Sequence, residues 1–368
     1  MEKNITENTN MACDKDFCAL LGKNEAELRE ICREHGLPVY KGGILFKWLQ
    51  AGELAYDQMT NLSKAERSLL QEHYPLHLPV IRREQRSADG TTAKLLLDFG
   101  GGILVELVIM NYQRQQSRSR HTLCISTQAG CAMGCAFCAT GLSGLVRNLT
   151  AGEIVAQVLQ GQLWLQRQGL GKVTNLVLMG MGEPFANYEQ VCRALRVLNS
   201  ENGQNIGWRR ITVSTCGLPA QIRRFADEGW EVNLAVSLHA PDDYLRSRLL
   251  PVNRRFPLAE LLAACDYYTN KTHRRISYEY ALLRDVNDSS RQAQVLAELL
   301  AGRLAHVNLI PVNFVAETGF WPSSDETLNK FAALLKKRGL EATVREKRGL
   351  DIDGACGQLR RRNDEKQL

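Results

Sequence analysis

Cys131-Ala132-Met133-Gly134-Cys135-Ala136-Phe137-Cys138 sets three cysteines four and three residues apart. Thiolates are soft ligands of the kind that zinc and iron–sulfur clusters take. A loop this short can wrap all three around one small inorganic core. A structural zinc ion takes a fourth protein ligand, usually from a second C-x-x-C or a His pair, and no such pair follows nearby. Three thiolates on a four-iron cluster instead leave one iron open to an exchangeable ligand. Cys131, Cys135 and Cys138 are therefore the expected metal ligands. The alternative is three unrelated buried cysteines in a loop.

Around this loop, strand-like and helical stretches alternate. Apolar runs cover 122–127, 173–179, 210–215, 232–238, 277–282 and 307–311, with helical stretches between most of them. The helix after the loop starts at Thr150 with Glu153 in the capping-box position, and Ile154, Val155, Val158 and Leu159 make one apolar face. Six strands joined by helical crossovers predict an α/β fold with a parallel sheet, a partial (β/α)6 barrel over 117–350. Chemistry in such folds sits at the C-terminal strand ends. There the sequence puts the three cysteines, then Gly180-Met181-Gly182-Glu183-Pro184, Ser214-Thr215-Cys216-Gly217, Ser237-Leu238-His239 and Asn313. Glycine at a strand end lets backbone approach a ligand closely. Any one of these residues has a bland reading, and His239 alone would be a structural histidine; their shared position makes the signal.

The N-terminal part reads differently. Residues 1–15 are polar and expected to be disordered. A helical module over 16–80 has Asn24 and Glu27 at one helix start, Gly36 as its stop, a second helix over 43–49, and the capping box Ser63-Lys64-Ala65-Glu66 opening a third. It reads either as an RNA-docking accessory or as a cap packed on the larger domain. Strands follow over 81–86, 93–99 and 103–109, a β extension spanning 81–116 with a polar, basic loop at 111–120. The end, 351–368, carries Asp351-Ile352-Asp353-Gly354-Ala355-Cys356-Gly357-Gln358-Leu359. Small neighbours make Cys356 either an accessible thiol on a tight turn or a buried packing cysteine.

Composition sets limits. The chain has 368 residues, 44% hydrophobic and 23% charged, as in ordinary globular proteins. No apolar signal region opens it and no run of apolar residues is long enough to span a bilayer, which predicts no membrane association. Eleven scattered cysteines, an odd number, do not read as a disulfide framework and point to a reducing cytoplasm. The net charge of +6 is modest, and the arginine pairs Arg209-Arg210, Arg223-Arg224, Arg254-Arg255 and Arg274-Arg275 suit phosphate as well as they suit solvated surfaces. Nothing in the sequence calls for an oligomer, and a monomer is expected.

The C-x-x-x-C-x-x-C spacing with Phe137 before the last cysteine resembles the radical S-adenosylmethionine (SAM) enzymes. Further motifs narrow this: Phe46-Lys47-Trp48, Met59-Thr60, Glu84-Gln85-Arg86, Thr122-Leu123-Cys124, Arg147-Asn148-Leu149-Thr150, the Gly180–Pro184 run, Ser237-Leu238-His239-Ala240-Pro241 and Ala355-Cys356-Gly357-Gln358-Leu359. Together, over nearly the whole chain, they resemble the RlmN/Cfr family of radical SAM RNA methyltransferases, and its RlmN branch most. The resemblance implies a [4Fe-4S] cluster on the three cysteines, with SAM contacted by Gly182, Glu183, Ser214, Ser237, Leu238, His239 and Asn313. It implies methylation of adenosine carbon 2 in 23S rRNA, near the peptidyl-transferase centre, and in tRNA beside the anticodon. That carbon is electron-poor and cannot attack the SAM methyl directly. In the family a cysteine, here Cys356, is methylated by one SAM, and a second SAM supplies the radical that activates its methyl. Glu106 would accept a proton, and Cys124 would resolve the protein–RNA adduct as a Cys124–Cys356 disulfide. An electron donor such as flavodoxin or ferredoxin is implied as partner.

Two features depart from the family pattern: 17 residues separate Glu106 from Cys124, the surplus falling in the basic loop, and 314–324 lacks the expected proline-rich loop. Two alternatives remain at this level. One is the Cfr-like methylation of carbon 8, which confers antibiotic resistance. The other is a non-catalytic RNA-binding protein with a structural metal site.

Overall fold

The computed structural model describes residues 17–112, 119–346, 348–354 and 357–359. The expectation of disorder at 1–15, most of the basic loop and Cys356 itself lie outside these residues.

Helices α1 (Glu25–Glu34), α2 (Lys41–Gln50) and α3 (Lys64–His73) form the N-terminal module. The sequence signals act as expected. The Glu27 N–H donates to Asn24 Oδ1 at 2.9 Å and the Asn24 N–H to Glu27 Oε2 at 2.8 Å, so two orphan donors are satisfied reciprocally. Gly36, at φ +69°, turns the chain out of α1, and the Leu37 N–H then closes on the Cys32 carbonyl at 2.7 Å.

Strands β1 (Val80–Arg86), β2 (Thr92–Asp98), β3 (Leu104–Tyr112) and β4 (Arg120–Cys124) are antiparallel neighbours. A small hairpin of β5 (Gln128–Gly130) and β6 (Leu145–Asn148) brackets the cysteine loop and the short helix α4 (Ala139–Leu142). Then come α5 (Ala151–Arg167), β7 (Asn175–Leu178), α6 (Tyr188–Asn199), β8 (Ile211–Thr215), α7 (Pro219–Asp227), β9 (Asn233–Ser237), α8 (Asp243–Leu249), α9 (Leu258–Thr272), β10 (Ile276–Leu282), α10 (Ser290–Leu299), β11 (Ala305–Pro311), α11 (Asp325–Lys337) and β12 (Ala342–Val344). One sheet runs β1-β2-β3-β4-β7-β8-β9-β10-β11-β12, parallel from β4 onward. It is open, with β1 and β12 as edges, as a partial barrel requires. The six expected strands are β4 and β7 to β11. β12 is a seventh parallel strand, only three residues long, too short to show as an apolar run.

After β12 the chain crosses from the far edge of the sheet to its antiparallel end. The Arg345 N–H donates to the Leu309 carbonyl at 2.9 Å, Lys94 Nζ to the Asp353 carbonyl at 3.2 Å, and Thr140 Oγ1 to the Leu359 carbonyl at 2.7 Å. The residues flanking Cys356 are thus tied to both β2 and α4. The loop surplus between Glu106 and Cys124 falls, in sequence, between Tyr112 and Arg120, the last described pair of the β3–β4 hairpin. The register Val108 to Cys124 is regular up to that pair, so the insertion leaves the relation of Glu106 to Cys124 intact.

One expectation needs correction. The α5 pattern predicts a single buried face, yet most of the helix is buried on all sides. One side packs on the sheet, where Gly161 lies against Leu123, and the other takes the N-terminal module. A Cβ on Gly152 would lie 1.9 Å from the Cys18 carbonyl oxygen, so the backbones touch there. Ion pairing of Glu27 with Arg193, on α6, ties the module to a second helix. Among the described residues no helix is long and apolar enough to cross a membrane. Gly152→Ala should therefore force the module off α5, at a cost of about 1–3 kcal/mol. Thermal melting should show the loss, and limited proteolysis should show earlier cleavage within 17–80.

Candidate active site at the strand ends

Parallel strands deliver their C-terminal ends to one rim, and two adjoining cavities open there. The smaller, about 160 Å³, is lined by Cys131, Cys135 and Cys138 on one side and by Gly182, Glu183, Ser214, Ser237 and His239 on the other. The larger, about 670 Å³, runs down the barrel interior and is lined by Cys124, Asn313, Gly354 and Leu359 among others. Five of the seven expected SAM contacts thus share one cavity with all three cysteines, and Asn313 lines the neighbouring one. Leu238 lines neither: its side chain is in the core, its N–H donates to the Glu279 carbonyl at 3.0 Å and its carbonyl accepts from Arg246.

The glycines are where close approach demands them. Gly182 has φ +101°, and a Cβ there would lie 2.6 Å from that of Gln128. This brings Glu183 over the cavity. Its N–H donates to Gln128 Oε1 at 2.8 Å, its Oε1 accepts from the Phe185 N–H at 3.0 Å, and its Oε2 accepts from the Cys216 N–H at 2.7 Å. Burial nevertheless outweighs these bonds and raises its pKa. A carboxyl in this state suits an incoming ammonium, which would restore the anion.

His239 is held at φ +58°, a strained value for a non-glycine residue. The Ala281 N–H donates to His239 Nδ1 at 2.9 Å. A backbone N–H can only donate, so Nδ1 is an acceptor and the ring proton is on Nε2. Burial, with Arg246 nearby, pushes the pKa down to about 3, so the ring is neutral at physiological pH. Phe137 meets it edge-on at 4.8 Å between centroids, coupling the cysteine loop to the β9 end.

Burial pushes the Cys131 thiol up to about 11 and raises Cys135 too. Three soft thiol donors stand on one wall of the smaller cavity, a donor set that fits an iron–sulfur cluster.

Glu106, on β3, is buried and paired. A lone carboxylate in an apolar strand would demand a role, but Lys94 Nζ on β2 lies 3.0 Å from Glu106 Oε1, both side chains being 8% exposed. Glu106 is therefore paired, and it lines neither cavity. It lies on the β3 face that carries Val108 and Met110, which do line the larger one. Ser126 Oγ donates to its carbonyl at 2.8 Å.

Two buried charged groups escaped sequence reasoning. Glu279 on β10 lines both cavities, receives Ser277 Oγ at 3.1 Å and Asn308 Nδ2 at 2.8 Å, and has its pKa raised by burial. The signal was present in Ser277-Tyr278-Glu279, where alternate residues of a strand share a face. Arg246, wholly buried on α8, reaches the β8 and β9 ends. It carried no sequence signal, because its partners are mostly backbone carbonyls.

The radical SAM superfamily model matches residues 125–294. A protein from Desulfitobacterium hafniense named a probable dual-specificity RNA methyltransferase RlmN is 47% identical over 342 residues, 92% of this chain and 95% of that one. One of the same name from Heliobacterium modesticaldum is 49% identical over 345 residues, 93% and 89% of the two chains. The crystal structure of a radical SAM methyltransferase from Sphaerobacter thermophilus superposes with a TM-score of 0.89 at 48% identity, covering 93% of this chain and 99% of that one.

Because its pKa is raised, Glu183 is protonated at low pH and gains charge as pH rises. SAM affinity should therefore increase with pH through that titration, above the ordinary carboxylate range. Calorimetry on the cluster-loaded protein measures it, and Glu183→Gln should bind about tenfold or more weakly with the pH dependence gone. Gly182→Ala should cost SAM binding comparably, with no pH dependence of the loss.

Proposed function

Since the chain belongs to the RlmN family of radical SAM methyltransferases and carries a [4Fe-4S] cluster and SAM as cofactors, we propose that it methylates carbon 2 of adenosine in 23S rRNA and in tRNA. One juxtaposition supports this reading most. Cys124 lines the larger cavity together with Gly354 and Leu359, which flank Cys356 in sequence, and Gly357 lines the smaller cavity among the three cluster cysteines. A base in the larger cavity would lie within reach of a two-cysteine relay and beside the SAM site.

The cofactors supply one-electron cleavage of SAM and with it a hydrogen-abstracting group, which an electron-poor carbon requires because it cannot act as a nucleophile. The chain's residues do the rest. Glu183 and the Gly182 backbone would hold the SAM amino group, Ser214, Ser237 and Asn313 its hydroxyl and carboxylate oxygens, and His239 would offer its Nε2 proton to the same ligand. Cys356 carries the methyl as a thioether and forms the bond to carbon 2. Glu106, ion-paired with Lys94 and set on β3 next to the cavity-lining Val108 rather than in the cavity wall, would have to move towards the base to accept the proton that carbon 2 loses. Once the adduct has given up its unpaired electron to the cofactor, the Cys124 thiolate would attack the Cys356 sulfur; the methylene carbon takes the bonding pair and a proton to become the methyl group, and a disulfide is left.

An electron carrier such as flavodoxin or ferredoxin reduces the cluster, and a monomer in the reducing cytoplasm is the working state. The basic groups Arg120, Arg210, Arg275 and Arg345 lining the larger cavity favour a polyanionic substrate.

Cys124→Ala purified from cells should carry RNA attached to Cys356 through a methylene, since the resolving thiol is gone. Nuclease digestion and mass spectrometry of the Cys356 peptide read it out. The carbon of attachment separates carbon 2 from carbon 8, and a cluster-loaded variant with no RNA attached would overturn the two-cysteine mechanism.

A further inference from the structure

Among the described residues Arg246 is the largest side chain that is fully buried, at 0% exposure. Its hydrogen-bond partners contain no carboxylate. Nε donates to the Leu238 carbonyl at 3.2 Å and Nη1 to Asn253 Oδ1 at 2.8 Å, while Nη2 donates to the Cys216 carbonyl at 2.6 Å and to the Ser237 carbonyl at 3.0 Å. One guanidinium thus clamps the ends of β8 and β9, both of which carry SAM contacts. It also stands beside the cysteine loop. The Ala136 N–H donates to the carbonyl of Leu249, on the helix that bears Arg246, at 2.9 Å. Cys135 packs against the same apolar cluster as Leu245 and Leu249. Cys216, whose carbonyl takes the Nη2 bond, lines the same cavity as Cys131, Cys135 and Cys138.

A buried charge without an ion-pair partner is costly and needs a compensating negative charge. Asp243 reaches Arg246 through Asn253, and the thiolates of a bound cluster would add to that negative charge. We propose that Arg246 is a positioning residue whose fixed positive charge raises the reduction potential of the cluster while its fork holds the SAM-binding strand ends. Reduction adds one electron, and so one negative charge, to the cluster; a cation beside it in a low-dielectric interior favours the reduced form. The proposal rests on the cluster at Cys131, Cys135 and Cys138.

Redox titration of the reconstituted full chain, followed by electron paramagnetic resonance with dithionite as reductant, tests it once iron content is known. Arg246→Gln removes the charge and should shift the one-electron equilibrium at least tenfold towards the oxidised cluster, about 59 mV lower in potential. Arg246→Lys keeps the charge and should shift it by less than threefold. Both lose the fork and should bind SAM several-fold more weakly by calorimetry. An unchanged potential in a fully loaded Arg246→Gln protein overturns the proposal, as does an equal fall in Arg246→Lys. Should the glutamine variant not take up the cluster, Asn253→Asp keeps the guanidinium and sets a carboxylate on its Nη1. It should lower the potential in the same direction, and an unchanged value there is equally fatal. A wild-type chain that takes up no cluster would instead remove the cofactor assignment beneath the proposal.

Discussion

The cysteine loop is held from outside. Its backbone hydrogen bonds run from the Cys131 N–H to the Gly144 carbonyl at 2.9 Å, from the Ala136 N–H to Leu249, and from the adjoining Ala139 N–H to the Gly357 carbonyl at 2.8 Å. Three separate elements, the β5–β6 hairpin, α8 and the C-terminal segment, thus share one eight-residue stretch. Each bond contributes about 1 kcal/mol net, so no single clamp fixes the loop and all three together do. The geometry around the thiols therefore exists only once the barrel and the segment beyond β12 are in place. The raised thiol pKa values follow from the same enclosure, and loading iron must release protons, which couples cluster binding to pH.

The rim above the strands is where the fold accepts electrostatic cost. Glu183, Glu279, His239 and Arg246 are all buried there. Glu183, Glu279 and Arg246 each have two or more hydrogen-bond partners, which is what makes burial tolerable. The consequences are specific. The histidine is neutral with a defined tautomer, the Glu183 carboxyl waits for a cation, and the arginine waits for an anion. A site arranged this way is complementary to an ammonium-bearing ligand and an anionic cluster before either binds, so little reorganisation is needed on binding.

Much of this was legible from local spacing. The three cysteines, the Gly180–Pro184 run and the strand-end serines are short-range patterns, and their convergence followed from parallel strand topology alone. Capping boxes at Asn24, Ser63 and Thr150 fixed helix starts because both partners lie within one turn. That Glu106 is ion-paired with Lys94 was not legible, for the opposite reason. Its partner Lys94 lies across an antiparallel pair, diagonal to it in the register that sets Leu96 opposite Glu106. Sequence shows which face each residue takes on its own strand but not which residue of the next strand comes level with it.

By itself the sequence determined the alternation of strands and helices, the metal-binding loop, the set of residues on the rim and, through long matched motifs, the family. These depend on residue type at fixed local separations, which the chain carries wherever it goes. Only the tertiary structure decided that α5 is buried from two sides, that the segment beyond β12 returns to β2 and α4, that Glu279 lines both cavities and that Arg246 ties the ends of β8 and β9. Those facts depend on distances between residues up to hundreds of positions apart, and only the packed core brings such residues together.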